Sequence, residues 1–135
     1  MDKNDLRIEF AISARALDET DREFIDVHRT NEAETLRNTQ ADYERHRWDR
    51  YKAREDALQR QYQNNLDLPR PANVPMPRLP TRSEITQEAR STEDRMHSQR
   101  MEEIRENARR AIRERVGRSL GLDRPEEDPE KNRDR

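Results

Sequence analysis

The stretch PRPANVPMPRLPTRSE, residues 69–84, divides the chain. Five of the seven prolines lie in its first twelve positions. Proline has no amide hydrogen to give to a helix and holds φ at about −65°, so residues 69–80 read as extended polyproline II. Thr81 and Glu84, directly after the last of these prolines, have capping-box spacing: the Thr81 hydroxyl and the Glu84 carboxylate can each satisfy a free backbone amide at a helix start. A helix is expected from there to about Leu120. Gly121 is placed to stop it, and Arg113, Arg115 and Arg118 suit the negative end of its dipole.

Upstream, nothing interrupts the chain from residue 20 to residue 64: neither glycine nor proline occurs there. Thr20 and Glu23 repeat the capping-box spacing, which predicts a break or restart near 18–21. A helix of that length is a rod of roughly 65 Å. Its apolar face carries Leu36, Tyr43, Tyr51, Leu58 and Tyr62. These pair with residues of the second helix at a constant sum of 147: Leu36 with Ala111, Tyr43 with Ile104, Tyr51 with Met96, Leu58 with Ala89 and Tyr62 with Ile85. The expected fold class is therefore all-α, two long antiparallel helices forming a coiled-coil-like helical hairpin across the proline-rich connector. Within the second helix the stripe shifts by about a third of a turn. Its eleven-residue spacings, Ile85 to Met96 and Met101 to Ile112, favour straight or slightly right-handed packing.

On this reading residues 1–19 form an N-terminal docking segment, 20–65 the first long helix, 66–81 the connector, 82–121 the second long helix and 122–135 a disordered, charged, acidic tail. The docking segment is the hardest stretch to assign. Leu6, Ile8, Phe10 and Ile12 alternate as in a strand, yet no second alternating run exists to pair with them. Read as helix, Leu6, Phe10, Leu17 and Phe24 share one face and Ile8 and Ile12 the opposite one. The 147 register places Val27 opposite Leu120, so everything before Val27 is expected to project uncovered. Its two apolar faces are surface that soluble monomers avoid. Leu6, Ile8, Phe10, Ile12, Leu17 and Phe24, with Trp48 as an aromatic anchor, are thus the expected protein interface.

Composition limits the functions open to the chain. Only 29% of residues are apolar and 43% are charged, too few apolar groups for an ordinary globular core. Helix formers dominate and glycine occurs twice, which favours long exposed helices over disorder. The net charge of −2 gives no global attraction to nucleic acid or anionic membrane, so an electrostatic partner has to read a local patch. Two such patches exist. Arg45, Arg47, Arg50 and Arg54 interleave with Trp48 and Tyr51, and Arg105, Arg109 and Arg113 lie on the second helix; both could meet nucleic-acid phosphates, with bases stacking on the aromatic rings of the first. The same residues also suit a protein anchor, ion pairing between the helices, or a solvated helix face.

No cysteine is present, which excludes disulfides, thiolate metal sites and cysteine nucleophiles. His28, His46 and His97 are too far apart for an i,i+4 ligand pair, and no phosphate loop or nucleophile elbow occurs. Neither catalysis, a cofactor, a metal nor a small-molecule substrate is expected. Pro77 to Arg82 match the proline-x-x-proline-x-arginine pattern of SH3 ligands, although a stiff connector explains them as well. No stretch has the length of a membrane span and the start lacks the order of a secretory signal, so a cytoplasmic or particle-associated protein is expected. The leading expectation is a non-enzymatic structural or assembly protein acting through protein contacts, with a protein partner or copies of itself, in a phage particle or other bacterial assembly. The alternative is an arginine-rich nucleic-acid accessory factor.

Overall fold

The computed structural model describes residues 2–13, 17–76 and 78–122. The tail expected beyond Leu122 and Pro77 of the SH3-like motif lie outside the described residues. Asp2 starts the first helix: its carboxylate accepts the Asp5 amide at 2.8 Å, an N-cap for α1, Lys3–Ser13. Asp18 does the same for α2, Glu19–Leu66, accepting the Asp21 amide at 2.8 Å. The α2 cap is therefore Asp18 rather than Thr20, which sits already inside the helix. Helix α3, Arg82–Ser119, begins with a reciprocal capping box in which Thr81 and Glu84 each donate an amide to the other's side chain at 3.2 Å. It ends in a Schellman motif: Gly121 is left-handed at φ 74°, the Gly121 amide donates to the Arg118 carbonyl and the Leu122 amide to that of Gly117.

The fold is a three-helix bundle, and the expected two-helix hairpin with a projecting N-terminal segment is not formed. Two compact units are distinguished, Met1–Leu36 with Glu103–Arg135, and Arg37–Glu102. In the first, α1 covers the start of α2 and the end of α3: Ile8 and Ala11 pack with Ile25, Ile112 and Val116, and Ile12, Leu17, Leu120 and Leu122 close around them. The break that Asp18 caps ends α1 before α2 starts, so the N-terminal apolar residues never form one continuous helix face. Residues 6–12 are helical, and it is Ile8, Ala11 and Ile12 that turn inward. Nor does α2 emerge uncovered before Val27, because Asp21 already pairs with Arg115 of α3 at 2.8 Å.

The second unit contains the rest of α2 and α3, antiparallel, and its interior is largely polar. Tyr43 and Tyr51 both donate their hydroxyls to Asp94, the latter at 2.5 Å. The Tyr43 ring stacks on His97 with centroids 3.9 Å apart, and His97 Nε2 meets Gln40 Oε1 at 2.6 Å. Arg54 pairs with the buried Glu93 at 3.0 Å and reaches the Met96 sulfur, while Tyr62 donates to Glu88 at 2.7 Å. Met96, the partner expected for Tyr51, is exposed. Polar contacts thus take the place of the expected apolar pairs: Arg54 with Glu93 keeps the sum of 147, whereas Tyr43 with Asp94 and Tyr62 with Glu88 depart from it.

Candidate protein-contact surface

With Ile8 and Ala11 committed to the core, the helical period leaves Leu6 and Phe10, one turn apart, on the outward side of α1. Leu6 is 57% exposed and Phe10 71%. Together with Arg7, Ala11 and Leu120 they line an open, mainly apolar groove of about 380 Å³. Leu120 is brought there by the Schellman turn, whose following residue, Leu122, is anchored on the core. Among the remaining expected interface residues, Ile8 is buried, Ile12 and Leu17 pack at the core edge, and Phe24 is half-buried. Phe24 stacks on His28, and the Arg115 guanidinium lies 5.1 Å from its ring centroid.

Beside that guanidinium lies a buried carboxylate, Asp21. Asp21 is 2% exposed, and hydrogen bonds from Arg115 and Ser119 hold its carboxyl below the usual carboxylate range despite burial. It is a structural pair in geometry, fixing α2 against the end of α3.

In the other unit Trp48 is 61% exposed, set edge-on to Tyr51, with Arg47 and Arg90 at 5.5 and 5.2 Å from its ring. Arg90, on α3, completes a cation-and-aromatic cluster whose other members all lie on α2. No spacing in the sequence ties Arg90 to Trp48.

The arginines are largely matched to carboxylates. Arg50 reaches Asp42 at 3.4 Å, Arg54 reaches Glu93, Arg109 reaches Glu106 at 2.7 Å, and Arg113 reaches Asp5 at 2.6 Å and Glu9 at 3.7 Å. Arg105 is engaged as well, and Arg45 lies exposed on α2. Arg105, Arg109 and Arg113 share a shallow groove with Arg29, Glu9 and Glu32, so the groove carries both signs of charge. Sequence reasoning missed Asp21, Asp94 and Leu120. Neither acid belongs to an apolar stripe, and the 147 register sets Leu120 opposite Val27.

Among the described residues no group of three or more histidines and carboxylates is placed to hold a metal ion. No described helix is long and apolar enough to cross a membrane. The all-helical, packed architecture accords in general with a structural or protein-contact role. No protein-family model, curated protein or solved structure matches the chain.

Proposed function

We propose that this chain is a non-enzymatic helical module that works through protein contact, with the outward face of α1 as its docking element. One observation carries this reading: Leu6 and Phe10 stand in solvent beside a core that is already filled. Exposed apolar side chains are ordinary singly, but two on consecutive turns bordering an apolar groove are the usual form of a helix-mediated contact. Carboxylate pairing of Arg50, Arg54, Arg109 and Arg113 weighs against the nucleic-acid alternative, because phosphates would have to displace those partners. The setting, a phage particle or another bacterial assembly, rests on composition alone.

The test is size analysis of the tagged chain in an extract of its native source, compared with a Leu6→Glu, Phe10→Glu double variant. The native chain should run in a species larger than the free chain, in low and high salt alike, and the variant should not. A native chain that runs free both in the extract and when purified and concentrated overturns the reading. A complex that dissolves in salt and on nuclease treatment supports the nucleic-acid alternative instead.

A further inference from the structure

Resting on the proposed docking role of α1, we infer that the occupant of this face is a second copy of the same chain, paired parallel through α1. Leu6 and Phe10 have the spacing of a heptad d position and the next a position, with Lys3 and Ser13 at the flanking a and d positions. Arg7 then falls at e, and Asp2 and Glu9 fall at g. In a parallel pair each g side chain meets the following e side chain of the other helix, so Asp2 of each copy faces Arg7 of the other. Asp2 and Arg7 are both exposed, and Asp2 uses only Oδ1 in capping, which leaves Oδ2 for a guanidinium. A parallel pair sets only Lys3 against Lys3, at the exposed start of the helix, whereas an antiparallel pair sets both Arg7 against Arg7 and Glu9 against Glu9. Charge therefore selects the parallel arrangement, in which the edges of the apolar face complement themselves.

Residues 123–135 do not supply an apolar occupant, since they contain no leucine, isoleucine, valine, methionine or aromatic residue. In the paired form the Leu6 and Phe10 layers close on their counterparts, and the groove beside Leu120 receives apolar surface from the second copy. One short helix from each copy makes a small interface, which belongs to the weak class and dissociates on dilution.

The experiment is sedimentation velocity of the full chain over a wide concentration range, with Phe10→Glu and Ser13→Cys variants. Ser13 is exposed at the end of α1 and the chain has no native cysteine, so a parallel pair brings the two introduced thiols together and an antiparallel pair separates them. The native chain should pass from monomer to dimer as concentration rises. Phe10→Glu should weaken association by about tenfold or more, because it puts a charge into the apolar seam, while circular dichroism stays unchanged. Oxidised Ser13→Cys should form a disulfide dimer that Phe10→Glu in the same chain suppresses. Arg7→Gln should weaken the dimer, whereas antiparallel copies would gain from losing that repulsion. A dimer indifferent to Phe10→Glu, one without the Ser13→Cys cross-link, or a monomer at every concentration overturns the inference. If that pure monomer still enters a larger species in the native extract, the second copy is excluded but the protein-contact reading stands.

Discussion

Asp94 accepts the hydroxyls of both Tyr43 and Tyr51, and those hydrogen bonds hold its carboxyl below the usual range while burial and the nearby carboxylate raise both phenols. Asp94→Asn replaces a charged acceptor with a neutral one, so it should cost about 1 to 3 kcal/mol, and Tyr43→Phe about 1 kcal/mol. A double-mutant cycle by urea denaturation checks this: the pair should be markedly non-additive, and additive costs would show that the hydroxyls are satisfied elsewhere. The sign with pH follows from the same shifts. Folded phenols titrate above unfolded ones, so their contribution is complete below the unfolded tyrosine value of about 10 and is lost as pH rises beyond it. Alkaline titration followed by ultraviolet absorbance should show Tyr43 ionising only as helicity falls.

The α2 start is the element where the sequence pattern came closest and still missed. Thr20 and Glu23 have the right spacing, but Asp18 lies two positions earlier and its carboxylate holds the Asp21 amide. Asp18→Ala should therefore lower stability by about 1 kcal/mol and Thr20→Ala by little, read from the melting temperature by circular dichroism. Equal effects would show that both side chains serve the cap. The α3 start was legible because Thr81 and Glu84 follow a proline that leaves no earlier option. The inward face of α1 was not. Leu6 and Phe10 make as good a stripe as Ile8 and Ile12, and only the position of the break decides between them. The antiparallel pairing of α2 with α3 was legible as a direction, and as a register only around Arg54, whose partner Glu93 stands at the sum of 147. Toward Tyr43 the register drifts, and apolar partners do not find Tyr43 with Asp94, where polar groups pair.

The two units differ in what fills them. The unit holding α1 has an apolar centre in Ile8, Ala11, Ile25, Ile112 and Val116, whereas the other centres on Tyr43, Tyr51, Glu93 and His97 around Ala89. Apolar burial is insensitive to proton concentration and the polar centre is not. Burial lowers the pKa of His97 from 6.5, helped by Arg100 and Arg50 and opposed by Asp94 and Glu44. Among the described residues no group accepts a hydrogen bond from its buried Nδ1. The folded state thus holds His97 neutral. Its contribution is fully present above the unfolded value of about 6.5 and is lost as pH falls below that toward the depressed folded value. Asp94, held below the usual carboxylate range by the two tyrosine hydroxyls, keeps its charge through that window. Amide hydrogen exchange, corrected for intrinsic rates, should accordingly show opening near residues 40–54 and 89–97 becoming more frequent between about pH 7 and 5, with little change near Ile25, Ile112 and Val116. His97→Phe keeps a ring for Tyr43 to stack on and removes the titrating group, so its exchange should be flat across that range. A uniform response along the chain, or an unaltered response in His97→Phe, would place the pH-sensitive group outside the polar centre.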